Sequence, residues 1–182
     1  GIAGVSLSPD GGKVAFVLNN PADSSQAVVL VDTATGAPTV LPAQDNDVAY
    51  SFPQLSDDGS AVGYEAIDVN DNHAVRVSSA TGTVLDEVGG VVAQDDDVVA
   101  PFSLSGDGKY IAYSTYVMDA QSVVVERIDG SEAPRVARGG GGSNAPRLAT
   151  DGHAVSFASG YVGEQLYVAT PPDSEGGTLQ VS

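Results

Sequence analysis

The chain has 182 residues, 42% of them apolar, so it is long enough for one ordinary domain with a real core and is not disordered in composition. Its charge is lopsided: 24 acidic residues against 7 basic ones give a net charge of −17, a surface that repels nucleic acid and anionic lipid, which are held through Lys and Arg. There is no cysteine, which excludes disulfides and thiolate metal sites, and no apolar run approaches membrane-spanning length.

The chain opens almost directly on strand-like sequence, as expected of a processed product or a segment of a longer protein. In LSPDGGKVAF, residues 7–16, Asp10 and Gly11 sit between a short apolar run and an alternating one. The alternation puts Val14, Phe16 and Leu18 on one strand face and Ala15 and Val17 on the other. AVVLVD then reads as a strand, TATGAP at 33–38 as a turn, and TVLPA as a short closing strand. The same set returns as SDDGSAVGY, AVRVSS, SATG at 79–82 and TVLDEV. It returns again as SGDGKYIAY, SVVVER, IDGSEAP at 128–134 and PRVAR, and a fourth time as ATDGHAVSF, QLYVAT, PPDSEGG at 171–177 and TLQVS.

The turn aspartates are Asp10, Asp58, Asp107 and Asp151, spaced 48, 49 and 44 residues apart. Each is followed by glycine (Gly11, Gly59, Gly108, Gly152), then by two further residues, then by a β-branched, a small and an aromatic residue in that order. The aromatics are Phe16, Tyr64, Tyr113 and Phe157, and the small residues before them are Ala15, Gly63, Ala112 and Ser156. Large side chains on one face and small ones on the other suit stacked sheets. Four strands per unit at a period of some 40 to 50 residues predicts an all-β propeller of four-stranded antiparallel blades. The blades fall at about 2–47, 48–97, 98–143 and 144–182, in a single domain or in a part or half of a larger propeller.

LSPDGGKVAF and LSGDGKYIAY resemble the TolB-like, WD-like β-propeller repeat, S-P-D-G-K-x-[IV]-A-[FY], and the resemblance runs over essentially the whole chain. Copies two and four depart from it, with Asp57 and Thr150 at the proline position. The motif is specific for the repeat and not for a function. It implies a secreted, periplasmic or cell-surface setting and six to eight blades in the usual family member, so the four here leave room for further blades or an identical subunit.

The residues that could carry chemistry have structural readings. Asp10, Asp58, Asp107 and Asp151 with their glycines are hairpin corners, because glycine accepts positive φ and aspartate caps its own turn. In IDVNDNH, Asp68, Asn70 and Asn72 alternate as in the opening of a calcium loop, but His73 stands where the loop needs Gly and Ser79 where it needs the bidentate Glu. Calcium is therefore only a weak alternative, and no other cofactor is expected. AQDNDV and AQDDDV place Asp45, Asp47, Asp95 and Asp97 at blade junctions, where solvated loop acids are the plain reading. RGGGGSN at 138–144 has no P-loop lysine and reads as an inter-blade loop. His73 and His153 have no partner at ligand spacing.

No G-x-S-x-G elbow occurs, and no nucleophile–base–acid set is visible, so the chain is expected not to be an enzyme by itself. The expected function is a non-catalytic scaffold for a protein partner or for surface assembly, without nucleic acid or membrane insertion. The alternatives are an accessory propeller domain of a larger enzyme, such as a prolyl-oligopeptidase-like hydrolase, and a carbohydrate- or calcium-binding propeller.

Overall fold

The computed structural model describes residues 1–44, 46–89, 102–117, 120–137, 143–159, 165–169 and 178–181. These residues form four four-stranded antiparallel sheets, each in meander order. The first is β1 (Ile2–Leu7), β2 (Lys13–Asn19), β3 (Gln26–Asp32) and β4 (Pro38–Val40); the second is β5 (Asp47–Leu55), β6 (Ala61–Asp68), β7 (His73–Ser79) and β8 (Val84–Gly89). The third is β9 (Phe102–Leu104), β10 (Tyr110–Val117), β11 (Ala120–Arg127) and β12 (Arg135–Ala137); the fourth is β13 (Ser143–Leu148), β14 (Val155–Ser159), β15 (Gln165–Ala169) and β16 (Thr178–Val181). The chain divides into two compact units, Gly1–Gly89 and Gly90–Ser182, with two sheets in each.

The meander follows from the sequence pattern. Each Asp-Gly pair closes a short loop between the first and second strands, and the β-branched and aromatic residues after it fit a pleated, half-buried surface. In the first unit, Ala15, Val17, Val28, Leu30 and Leu41 of the first sheet share a core with Tyr50, Val62, Tyr64 and Ala66 of the second. The aromatic of the second sheet thus lies against the small-residue face of the first. In the second unit, Val155 and Phe157 of the fourth sheet join Ala112, Val123, Val125 and Ala137 of the third in the same way. Tyr64 and Phe157 are at most 1% exposed, and each such side chain contributes roughly 1.5–3 kcal/mol on burial.

Polar ties fix the register of each stack. The Leu55 amide donates to Ser6 Oγ at 3.0 Å, and the Leu148 amide donates to Ser103 Oγ at 3.1 Å. Ser6 and Ser103 both stand four residues before their turn aspartate, and Leu55 and Leu148 three before theirs, so the same bond forms in both units.

Candidate functional site

The four turns share one geometry. The amide of Gly11 donates to Ser8 O, that of Gly59 to Ser56 O, that of Gly108 to Ser105 O and that of Gly152 to Ala149 O. All four glycines have positive φ, between 65° and 72°, the left-handed region in which a side chain is strained. In the first three copies a serine two residues before the aspartate is buried, and its hydroxyl donates to the carboxylate: Ser8 to Asp10 at 2.6 Å, Ser56 to Asp58 at 2.7 Å, Ser105 to Asp107 at 2.7 Å. The same oxygens accept from Lys13, Ala61 and Tyr110 amides at 2.9, 3.0 and 3.0 Å. The fourth copy has Ala149 in that place, and Asp151 accepts from the His153 amide alone among these donors. Each of these aspartates therefore has its Oδ1 engaged within the turn.

In the β6–β7 loop, Asp68 Oδ1 accepts from the Asn70 and Asn72 amides at 2.8 and 2.9 Å, and Oδ2 accepts from Asn72 Nδ2 at 2.9 Å. That is a self-capped loop, with both oxygens taken by donors that a calcium ion would have to displace. Asp71 there has a φ of 61°. His73, at the end of the loop, is tied inward: Glu65, 4% exposed, binds its Nδ1 through Oε1 at 2.8 Å and accepts from Ser51 Oγ through Oε2. With Nδ1 donating to a carboxylate, Nε2 is turned toward Asp71 Oδ1, 3.9 Å away. Ser51 holds the glutamate rather than the histidine, so the three residues are not a nucleophile–base–acid relay. Among the described residues no three His, Asp or Glu side chains converge as a metal site would require.

Among the described residues the most heavily buried charge is Arg76, 2% exposed. Its Nη1 and Nη2 meet Asp47 at 2.6 and 3.3 Å, its Nε meets Glu87 at 2.8 Å, and its guanidinium lies 5.9 Å from the Tyr64 ring centroid. Tyr50 Oη donates to the same Asp47 oxygen at 2.9 Å, and Gln44 Nε2 to Glu87 at 2.7 Å. Burial pushes the Asp47 carboxyl up, but the Arg76, Gln44 and Tyr50 bonds outweigh it and hold the group below its ordinary value. Burial and the Asp47 bond raise the Tyr50 phenol.

Tyr110 centres a second cluster. Its Oη donates to Glu132 at 2.9 Å, and the guanidiniums of Arg127 and Arg135 lie 5.9 and 5.4 Å from its ring centroid. Arg127 also pairs with Glu132 at 3.1 Å and Asp129 at 3.2 Å. Hydrogen bonds from Tyr110 and Arg127 keep the Glu132 carboxyl below its usual range. Arg127 is thus neutralised by acids that follow its own strand. Arg76, Glu65, Arg127 and Arg135 carry these clusters, and none was singled out by motif. The available signal was a charged residue at a core-facing position of an apolar strand, as in AVRVSS. Asp45, Asp95, Asp97 and the glycine run at 139–142 lie outside the described residues.

One sheet face among the described residues is exposed and apolar. On the first sheet, Ile2, Val5, Leu7, Leu18 and Val40 are 64%, 67%, 59%, 42% and 63% exposed. Cross-strand pairing puts them on one face with Phe16.

No family model matches this sequence, and no curated protein matches it. Solved structures do. A putative TolB from Agrobacterium tumefaciens is 17% identical, with a TM-score of 0.64, over 100% of this chain and 61% of that one. The β-propeller domain of the Trilobed protease from Pyrococcus furiosus is 10% identical, with a TM-score of 0.66, over 99% of this chain and 56% of that one. A prolyl endopeptidase is 13% identical, with a TM-score of 0.67, over 98% of this chain and 29% of that one. The chain thus has a TolB-like β-propeller fold and spans less than two thirds of the chains it resembles.

Proposed function

We propose that this chain is a non-catalytic propeller scaffold that holds a protein partner, in a secreted, periplasmic or cell-surface setting. The observation that carries the reading is a division of labour on the molecule. The turn aspartates are engaged by serine hydroxyls and backbone amides, and Arg76 and His73 by buried carboxylates, while an uncharged sheet face stands open to solvent. Contiguous exposed apolar surface of this kind marks contact sites. The test is a photo-crosslinking residue placed at Val5, with the protein exposed to the surface and secreted proteins of its source. A discrete crosslinked protein supports the scaffold. Crosslinks to lipid or none at all reject it.

A second reading, an accessory domain of a larger enzyme, is favoured by the likeness to a prolyl endopeptidase, of which this chain spans 29%. A nucleophile elbow encoded beside these residues supports it. Calorimetry with Ca²⁺ and a glycan array address the carbohydrate- or calcium-binding reading, which silence in both would remove.

A further inference from the structure

We propose that Arg135 anchors a carboxylate-binding site on the third sheet, filled by an acidic ligand from outside the chain. This goes beyond the scaffold reading and stands or falls apart from it.

The site is built by strand register. Tyr110 and Arg127 are direct partners on β10 and β11, and Arg135 of β12 pairs with Val125, two residues before Arg127. Alternation therefore puts Tyr110, Arg127 and Arg135 on one face, at the end of the core that Ala112, Val125 and Ala137 share with Phe157. Both guanidiniums lie against the Tyr110 ring, and His153 lies beside it with ring centroids 6.4 Å apart. The nearby acids are committed elsewhere. Asp129 and Glu132 pair with Arg127, and Glu132 also accepts from the Tyr110 hydroxyl. Among the described residues no acid pairs with Arg135, in a chain whose 24 acids outnumber its 7 basic residues. Its Nη2 is shut off from solvent and has no hydrogen-bond partner, although the residue as a whole is only half-buried.

Arg76 shows what is missing. It too lies against a tyrosine ring, 5.9 Å from the centroid, and its in-plane donors are met by Asp47 and Glu87. Arg135 has the ring and lacks the carboxylates. A guanidinium offers its donors as a planar fork that fits a carboxylate, and a shielded donor left unanswered is costly. The ring holds the fork in place before the ligand arrives, which lowers the ordering cost of binding. The net charge of −17 opposes any acid held by charge alone, so the geometry of the fork carries the recognition.

Side-chain NMR of the full 182-residue chain tests this, with the arginine Nε–H signals followed at constant ionic strength. Succinate and a capped peptide carrying one aspartate are the probes, and chloride is the control. The expected result is a saturable shift of the Arg135 signal with either probe and none with chloride. The Arg76 signal, whose donors are already met, stays in place. The probe that saturates at the lower concentration assigns the source, a free acid or an acidic side chain. Arg135→Lys keeps the charge and weakens binding about tenfold, and Arg135→Gln abolishes it. Circular dichroism checks the fold of both variants, and the wild-type titration decides by itself should either unfold. An Arg135 signal that no probe saturates, a shift matched by chloride, or unchanged affinity in Arg135→Lys overturns the proposal. Inorganic phosphate binding more tightly than either carboxylate overturns it as well. So does binding that appears only after Asp173→Asn and Glu175→Gln, because the chain would then fill the fork with its own acids.

Discussion

The Tyr110 ring lies so close over Gly152 that a Cβ on this glycine would overlap it. Tyr110 stands three residues after its turn aspartate. The residue at that position in the first sheet, Lys13, reaches the next sheet's turn as well, with its Nζ 2.9 Å from Gly59 O. One position in the repeat therefore docks each of these sheets onto the turn of its neighbour, by a ring in one unit and an ammonium in the other. Gly152→Ala then costs both the strain of positive φ and the overlap, about 2–4 kcal/mol. Gly11→Ala has the same φ but nothing within 4 Å, and costs about 1 kcal/mol. Denaturant titration of the two variants should separate them by that margin; equal losses would mean that the Tyr110 contact carries no weight.

Arg76 answers two carboxylates in a nearly dry environment. Arg76→Met leaves Asp47, whose side chain is 6% exposed, without its charge partner, and should cost about 3–5 kcal/mol. Arg76→Lys recovers only part of this, because a point charge cannot reproduce the paired bonds to Asp47 and the bond to Glu87. Combining Arg76→Met with Asp47→Asn should cost less than the sum of the two. Strict additivity in that cycle would show that the pair is not coupled.

The turn serines are worth a measurable amount. Ser56→Ala removes the donor to Asp58 and the acceptor for the Ala61 amide in a buried place, and should destabilise by about 1–2 kcal/mol. The reverse experiment is available in the fourth copy. Ala149→Ser supplies the missing hydroxyl beside Asp151 and is expected to raise stability by about 0.5–1 kcal/mol. A lower melting temperature in Ala149→Ser would contradict the shared geometry.

Acid should weaken the fold through the same turns. The Ser8 hydroxyl and the Gly12 amide hold the Asp10 carboxyl below its ordinary value. At Asp58 and Asp107 burial pushes the other way, but the bonds from Ser60 and Ser56, and from Ser105 and Lys109, outweigh it. Carboxyls lowered in the folded state stabilise above the unfolded value, and that stability is lost as pH falls through the folded value. Asp86, raised by burial, opposes this trend alone among the described aspartates with a resolved shift. The melting temperature should therefore be flat from neutral pH to about 5 and fall below about pH 4. A rise in acid would show that the turn carboxylates do not matter.

The sequence by itself determined the repeat. Asp-Gly followed by a β-branched, a small and an aromatic residue dictates a hairpin and a two-faced strand, because these are local demands of φ and of period two. It also showed which side chains are large and which small, and so that the sheets stack. Only the tertiary structure decided which neighbour each face meets: Tyr64 shares a core with Ala15 and Phe157 with Ala112, the following sheet with the one before it. It alone showed the buried clusters around Arg76, Glu65 and Tyr110, since Asp47 and Arg76 are 29 residues apart and only strand pairing makes them partners. And it alone showed that Asp68 is occupied by the amides of Asn70 and Asn72 and the Asn72 side chain, because a carboxylate in a sequence gives no sign of which donors reach it first.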